Sequence, residues 1–249
     1  SGAKVELNKD VEVTESLEVP SGVELSVPDD KKLSIGENGK LSVDEGAELS
    51  VEEGGSVEVK PEGTLDNNGT VSVGEGGSLD NNGTVNNNEG GTLKNDGTLN
   101  NNNVVNNNEG GKLENSGDLN NNSSLKNDGE LENKGTVSNN ENGNLENNGT
   151  IDNKENAEIN NGGNFNNNAG STLNNESGAE IGGSQPISNG GDINNDGNIK
   201  TTVDNTEDGK VDAEVTWTDK DGNEHSGSLK DVLEYLKGNP EEASGAKVE

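Results

Sequence analysis

The sequence predicts an all-β fold: a parallel β-helix, or β-solenoid, that carries a small β-hairpin plus α-helix cap. Aliphatic residues recur every six or eight positions from Leu33 to Ile199, and Asn stands two positions after most of them. Hydrophobic residues make up only 23% of the chain and aromatic residues 1%. Such a composition cannot fill a conventional core, but it can fill the narrow interior of a repeat structure.

The spacing of the aliphatic residues defines the structural unit. Residues i and i+2 of a β-strand point to the same face, so each unit is a very short strand with two inward side chains. In the first part of the chain both are aliphatic, as in Leu33 and Ile35. Three units per coil, stacked at ~4.8 Å, predict a rod of about eight or more coils.

From Leu65 onward the second inward residue is almost always Asn. Twenty aliphatic positions lie between Leu65 and Ile193, and eighteen are followed two residues later by Asn, with Val73 and Gly183 as the exceptions. Because a buried amide without partners costs roughly 2–3 kcal/mol, we expect these side chains to stack into hydrogen-bonded ladders. The predicted ladder residues are Asn67, Asn81, Asn87, Asn95, Asn101, Asn107, Asn115, Asn121, Asn127, Asn133, Asn139, Asn147, Asn153, Asn161, Asn167, Asn175, Asn189 and Asn195.

A Gly usually follows the inward Asn closely, as in the repeated sequence LDNNGT. Gly adopts positive φ at no steric cost. These glycines are therefore predicted to supply the positive φ of a tight corner between strands.

Residues 211–240 break the pattern and predict a cap. Val211, Ala213, Val215 and Trp217 alternate before an Asp-Gly turn, which predicts a β-hairpin. The segment SLKDVLEYLKGNP then begins with a Ser N-cap and ends with Gly and Pro, as a short amphipathic helix does. The apolar stripe of this predicted inter-unit cap helix consists of Leu229, Val232, Leu233 and Leu236.

The first six residues, SGAKVE, recur as the last six. We interpret this repeat as the seam between successive copies of one unit. The predicted organisation is a β-solenoid at 1–203, a hairpin and short helix at 204–243 that connect to the next unit, and the first strand of that unit at 244–249. An engineered terminal tag is the alternative explanation.

Runs such as GTLDNNGTVSVGEGGSLDNNGTVNNNEGGTL resemble the right-handed parallel β-helices of bacterial surface proteins, of the pectate-lyase-like and autotransporter-adhesin type. The resemblance implies a right-handed solenoid that is one unit of a tandem-repeat filament or giant adhesin. In that family a segment like TWTDKDGNEHSGSLKDVLEYLKG stands before a β-helix and covers its N-terminal end. A left-handed hexapeptide β-helix is the competing fold, although the eight-residue steps and the aliphatic-x-Asn order fit it less well.

The charge of the chain excludes several partners. The formal net charge is −32 at pH 7, and every basic residue is Lys. Clustered positive charge is needed to bind phosphates, so the charge argues against nucleic acid and anionic membrane surfaces as partners. The absence of an apolar run of 18 residues predicts no membrane span. No cofactor is predicted, and weak, non-specific calcium binding at acidic corners such as Glu52 and Glu109 would screen self-repulsion.

No catalytic constellation stands out in the sequence. His225 is the single histidine and lies in the predicted hairpin without a second base, so we interpret it as an exposed strand residue. The carboxylates recur at outward positions, and nothing singles out an acid pair of the glycosidase kind. The chain is therefore predicted not to be an enzyme.

The leading functional hypothesis is a structural repeat unit of an extracellular filament or adhesin stalk at the cell surface, whose partner is another copy joined head to tail. The alternative is an adhesin passenger domain that binds surface glycans or another surface, which the scarcity of aromatic residues disfavours. A polysaccharide lyase-like enzyme is the third candidate, and the absence of arginine disfavours it.

Overall fold

The computed structural model describes residues 2–206, 208–218, 224–228 and 236–237. In these residues the chain forms 32 short β-strands, most of them four residues long. Successive strands pass to three different parallel sheets, so every third strand pairs with its predecessor one coil below. The all-β parallel solenoid is thereby confirmed, with about ten coils.

Sheet A contains the strands of the first face. Its members are β1 (Ala3–Glu6), β4 (Val23–Val27), β7 (Glu48–Val51), β10 (Thr70–Val73), β13 (Thr92–Asn95), β16 (Lys112–Asn115), β19 (Glu130–Asn133), β22 (Thr150–Asn153), β25 (Thr172–Asn175), β28 (Asp192–Asn195), β31 (Lys210–Thr218) and β32 (Glu224–Ser228).

Sheets B and C contain ten strands each. Sheet B consists of β2 (Val11–Val13), β5 (Lys32–Ile35), β8 (Ser56–Val59), β11 (Ser78–Asn81), β14 (Thr98–Asn101), β17 (Asp118–Asn121), β20 (Thr136–Asn139), β23 (Glu158–Asn161), β26 (Glu180–Gly183) and β29 (Asn198–Ile199). Sheet C consists of β3 (Ser16–Val19), β6 (Lys40–Val43), β9 (Thr64–Asn67), β12 (Thr84–Asn87), β15 (Val104–Asn107), β18 (Ser124–Asn127), β21 (Asn144–Asn147), β24 (Asn164–Asn167), β27 (Ile187–Asn189) and β30 (Val203–Asn205).

The strands pair in register, so like positions form columns along the rod. Leu93 pairs with Leu113 and Asn95 with Asn115, for example. In nearly every strand the second and fourth residues are buried and the first and third are partly exposed. At ~4.8 Å per coil the stack is roughly 45 Å long. Right-handed winding stays a prediction from the sequence.

The corner glycines serve a different purpose from the one predicted. Gly69 and Gly149, which close tight two-residue corners, do not have positive φ; the positive-φ glycines, such as Gly76 and Gly90, lie in the wider corners. A Cβ at Gly149 would lie 2.1 Å from the carbonyl oxygen of Gly129 in the coil below. Gly149 leaves room for this close approach of successive coils, although the tight corners at Asn103 and Ser123 are built without a Gly.

The solenoid extends beyond the predicted boundary at residue 203. Strand β30 pairs in parallel with β27, and residues 210–213 of β31 pair in parallel with β28. The distal half of β31, residues 214–218, pairs antiparallel with β32. The predicted hairpin is thus confirmed, and its first strand is the distal half of β31.

The predicted cap helix and seam fall mostly outside the described residues. Leu236 and Lys237 are helical, while Leu229, Val232 and Leu233 lie outside the described residues, as does the terminal SGAKVE at 244–249. The roles proposed for them stay predictions.

Candidate functional site

The most distinctive feature of the rod is its polar interior. Seventeen of the eighteen predicted ladder residues are buried, each with at most 1% of its surface exposed. The eighteenth, Asn195, lies near the C-terminal end and is half-buried. Beside these amides run the aliphatic columns, which are likewise buried from Leu25 to Ile193.

The buried amides form three continuous ladders, one behind each sheet. In every rung the Nδ2 of one Asn donates to the Oδ1 of the Asn in the next coil, at 2.7–2.9 Å. The ladder behind sheet A runs from Asn95 to Asn195, and that behind sheet B from Asn81 to Asn161. In all rungs the donating N–H bond points toward the C-terminal end of the rod.

The second hydrogen of the amide bonds a backbone carbonyl at the following corner. Asn81 donates to the carbonyl of Val104 at 2.7 Å and Asn127 to that of Thr150 at 2.9 Å. These bonds also determine which amide atom is nitrogen, since only a donor can face a carbonyl. Most inner Asn residues therefore hold the coil above by two hydrogen bonds, while Asn121 makes only the rung to Asn139.

The ladders start differently behind the three sheets. At the first rungs behind sheets C and B, the free Oδ1 accepts from the backbone N–H of a Gly two residues on: Gly69 bonds Asn67 at 3.2 Å and Gly83 bonds Asn81 at 3.1 Å. Asn95, the first rung behind sheet A, has no donor for its Oδ1. Its neighbour one coil below is Val73, which cannot supply one.

The ladder behind sheet C contains a residue that the sequence reasoning missed. It continues past Asn189 to Asn205, whose Oδ1 accepts from Asn189 at 2.8 Å. Asn205 stands two positions after the aliphatic Val203, so the aliphatic-x-Asn pattern was present. The step from Ile199 to Val203 is only four residues, which departs from the six-or-eight spacing that defines the pattern.

Further ladders lie on the outer surface and run in the opposite direction. Asn106 donates to Asn86 at 2.9 Å, and Asn86 donates to Asp66 at 2.7 Å. Asn122 likewise donates to Asn102 at the corner between sheets B and C. In these outer ladders the donating N–H bond points toward the N-terminal end of the rod. The surface is thus an ordered array of amides at the repeat distance of the strands.

Lysines bridge carboxylates on neighbouring strands of sheet A. Lys112 lies 2.8 Å from Glu114 in its own strand and 3.0 Å from Glu132 in the next. Hydrogen bonds that the Lys112 ammonium donates to the Glu114 carboxylate and then to that of Glu132 raise the pKa of Lys112. The Lys134 ammonium lowers the pKa of the Glu132 carboxyl, opposed by partial burial and assisted by Lys112.

Both ends of the rod expose aliphatic side chains on strand edges. At the N-terminal end Val5 is 50% exposed and Leu17 46% exposed, and at the C-terminal end Val211 is 37% exposed. Val5 and Val211 belong to the same column of sheet A, because Val5 pairs with Leu25 and Val211 with Ile193. Val11, Ile199 and Val203 are partly buried at the same two ends.

In the part of the chain that the structure describes, no group of three or more His, Asp or Glu side chains is placed to hold a metal ion. The described segments also contain no helix of the length and apolarity that a membrane crossing requires. Weak calcium binding and the absence of a membrane span stay predictions.

Comparisons with known proteins return little. No protein-family model matches the chain, and a search of curated proteins finds no match. Among solved structures, the crystal structure of a TibC-catalysed hyper-glycosylated TibA55–350 fragment is similar at 15% identity over 85% of this chain and 95% of that chain, with a TM-score of 0.23. A likeness at that score carries no argument, so the fold assignment rests on the strand pairing described above.

Proposed function

We propose that this chain is a stiff structural unit of an extracellular filament or adhesin stalk, and that it joins head to tail with further copies of itself. The observation that carries the proposal is the match between its two ends. Val5 and Val211 terminate one column of sheet A, and both are exposed on strand edges that are unpaired in the described residues. Such edges are normally covered in a stable protein.

The chain order indicates how two units would meet. The next element of the solenoid after β31 would be a strand of sheet B, but in the sequence the predicted hairpin and cap segment follows instead. After that segment, residues 246–249 repeat the sequence of β1 and would form the following strand. In the proposed joint this strand continues sheet A by pairing with residues 210–213.

The cap would then replace one coil beneath sheets B and C of the next unit. Its apolar stripe, Leu229, Val232, Leu233 and Leu236, would cover aliphatic side chains from both rods. Those side chains are Ile199 and Val203 at the top of one rod, and Val11 and Leu17 at the bottom of the next.

The charges at this joint form like pairs directly across the strands and unlike pairs along the diagonals. If Val211 lies opposite Val5, then Lys210 is opposite Lys4 and diagonal to Glu6, and Asp212 is opposite Glu6 and diagonal to Lys4. The structure contains the same diagonal arrangement within the rod, where Lys112 and Glu132 on neighbouring strands lie 3.0 Å apart. Two such crossed pairs would offset the repulsion between the like charges that face each other directly, so the register of the joint rests on the apolar column.

Stiffness follows from the nearest-neighbour contacts that hold the coils together. Each coil is tied to the next by backbone pairing, by aliphatic columns and by amide ladders, which is the architecture of repeat proteins whose stability accumulates along the stack. The net charge of −32 would keep neighbouring rods apart. We assign no catalytic activity, since the interior polar groups are engaged in the ladders.

The test is a chain with two units joined at the shared SGAKVE. We expect small-angle X-ray scattering to give a rigid rod about twice the length of one unit. The matched control replaces residues 214–243 between the units with a Gly/Ser linker of equal length, which should give a flexible pair. If the two chains scatter alike, the joint is not rigid and the proposal fails.

Cysteine cross-linking tests the register of the joint, because the chain contains no cysteine. In the two-unit chain, Val211→Cys in the first unit and Val5→Cys in the second should be joined by a short bismaleimide. Val211→Cys paired with Thr84→Cys of the second unit, in the middle of that rod, should not be joined. Equal cross-linking of the two pairs would contradict the proposed register.

A further inference from the structure

Three neighbouring side-chain columns of sheet B and its adjoining corner are interrupted by Gly at one place. On the inner column, Asn161 is followed in the next coil by Gly183, and on the adjacent outer column Asn160 is followed by Gly182. At the corner, the surface ladder of Asn82, Asn102, Asn122 and Asn140 ends because Gly162 stands in the next coil. A Cβ at Gly162 would lie 3.8 Å from the Asn140 carbonyl carbon.

The loss of three neighbouring side-chain columns leaves a hollow of about 440 Å³ on the side of the rod. This volume lies in the range of small-molecule sites. Its lining is Ser138, Asn139, Asn140, Glu141, Asn160, Asn161, Gly162, Gly183, Ser184 and Gln185. No apolar side chain and no basic side chain belongs to this set.

The wall of the hollow is held in place by the end of the buried ladder. The Nδ2 of Asn161 donates to the carbonyls of Gln185 at 3.2 Å and Pro186 at 3.0 Å. The backbone N–H of Gln185 donates back to the carbonyl of Asn161, and the Thr201 hydroxyl donates to the Gln185 carbonyl. The loop is therefore preformed rather than free to collapse into the hollow.

The surface ladder at the corner ends at the hollow with Asn140, whose amide oxygen is a hydrogen-bonding group. The Nδ2 of Asn140 is used in the bond to Asn122 at 2.7 Å, and the next position in its column is a Gly without a side chain to donate to its Oδ1. The Asn160 amide, the Glu141 carboxylate and the Ser138 and Ser184 hydroxyls stand beside it. These groups include more acceptors than donors.

We propose that this hollow, defined by its lining residues Asn140, Asn160 and Gly183, binds a neutral saccharide. Amides, a carboxylate and hydroxyls without an apolar wall suit a ligand rich in hydroxyl groups, whose O–H groups donate to the carbonyl and carboxylate oxygens. An anionic ligand is disfavoured by Glu141 and by the net charge of −32. The hollow lies on the side of the rod, so a unit within a filament would still present it.

The experiment measures binding on the full chain and on variants that fill the hollow. Neutral and sialylated glycans on an array, followed by titration of maltotetraose and cellotetraose, should shift the side-chain amide NMR signals of Asn140 and Asn160. Without an aromatic platform we expect weak affinity, on the order of 1 mM. Gly182→Asn and Gly162→Asn should each weaken binding at least tenfold, because a Cβ at either position meets nothing closer than 3.4 Å and the new amide would project into the hollow from the column of Asn160 or of Asn140.

Control variants separate binding from folding. Ser72→Asn adds the same side chain to sheet A and should leave both affinity and urea midpoint unchanged. Glu141→Gln should weaken binding without changing the midpoint, since Glu141 is exposed. The proposal is overturned if no neutral glycan shifts the two amides, if the filled variants bind as well as the parent, or if calcium alone shifts the same signals and abolishes the glycan response.

Discussion

The first coils and the later coils of this rod solve the same packing problem with different chemistry. Up to Val59, and again in the strand that ends at Val73, the two inward positions of a strand are both aliphatic, as in Leu49 and Val51. In the later coils one of the two is Asn, as in Leu119 and Asn121. The strands are equally short and equally buried in both regions. The difference therefore lies in what the second inward residue contributes.

The second inward residue also affects which corners are possible: four-residue corners follow both aliphatic residues and Asn, whereas two-residue corners follow Asn almost exclusively. After Val51 the corner is four residues long, and it closes with its own backbone bond from Gly55 to Glu52 at 2.9 Å. After Asn133 the corner is two residues long, and the Asn side chain itself bonds the backbone of Gly135. An Asx-type closure replaces the backbone turn. Most tight corners follow an Asn, because an aliphatic side chain cannot satisfy the corner.

The comparison shows two ways of setting register. Aliphatic columns contribute about 25 cal/mol per Å² buried but tolerate small shifts. Amide ladders contribute little net energy per bond, yet a misplaced rung leaves donors and acceptors unpaired at about 1–3 kcal/mol each. The aliphatic coils thus supply hydrophobic stability, and the Asn coils allow only one register.

The largest effect is expected from breaking a ladder in its middle. Asn127 accepts from Asn107 and donates to Asn147 at 2.8 Å and to the carbonyl of Thr150 at 2.9 Å. Asn127→Val would leave all three partners without it, so we expect a loss of about 3–5 kcal/mol in the free energy of unfolding. Urea denaturation followed by circular dichroism measures the loss.

The matched control for that variant is Lys126→Gln on the outer side of the same strand. Lys126 is paired with Asp128 at the surface, and exposed ion pairs contribute less than about 1 kcal/mol. Similar losses for the inner and outer variants would mean that the buried ladder does not specify the Asn coils.

A second prediction places the same new residue in two neighbouring coils. Val51 lies between Val27 and Val73 in its column, whereas Val73 lies directly below Asn95. Val51→Asn buries an amide without a ladder partner and should cost about 2–4 kcal/mol. Val73→Asn can donate to the unpaired Oδ1 of Asn95 and should be within about 1 kcal/mol of the parent.

Urea midpoints of the two variants, measured under the same conditions, decide this prediction. The transfer cost of the side chain is the same in both, so it cancels from the difference. If Val73→Asn destabilises the chain as much as Val51→Asn does, the unpaired Asn95 acceptor is not available to a new rung and the ladder account is wrong.

Much of the fold could be predicted because its signal is periodic. The step of six or eight residues placed Leu33 and Ile193 correctly in buried columns, and the following Asn identified the ladders. Periodicity also failed where the spacing changed: Asn205 was missed after a step of four residues, and the boundary at residue 203 fell inside the last coil. A local pattern cannot show where parallel pairing stops, because pairing depends on the strand one coil below.

The role of the corner Gly shows a second limit. A Gly in a turn predicts positive φ from local sterics, but Gly149 is required by the carbonyl of Gly129, twenty residues earlier in the chain. The hollow at Gly182 and Gly183 was visible only as an exception to the Asn rule. Its meaning needed the neighbouring columns, which the sequence does not place side by side.

The smallest effect concerns two carboxylates, one in each region, whose pKa values move in opposite directions from their ordinary value of 4.5. Glu18, in the aliphatic coils, lies beside Asp44, and the hydrogen bond and repulsion between the two carboxyls raise its pKa. Glu132, in the Asn coils, has a lowered pKa because Lys134, and then Lys112, stabilise its charged form against a partial burial that opposes it.

Linkage gives the sign of each effect. The raised folded-state pKa of Glu18 stabilises the fold below pH 4.5, and this stabilisation is lost as the pH rises through the pKa of the folded state. The lowered folded-state pKa of Glu132 stabilises the fold above pH 4.5, and this stabilisation is lost as the pH falls through the pKa of the folded state. Glu18→Gln should therefore raise the urea midpoint at about pH 7 relative to the parent, and Glu132→Gln should lower it, by less than about 1 kcal/mol in unfolding free energy for the second. At about pH 3, where the unfolded carboxyls are protonated, both differences should shrink. Shifts of the same sign at neutral pH would show that overall charge, rather than the local partners of each carboxylate, governs the pH dependence.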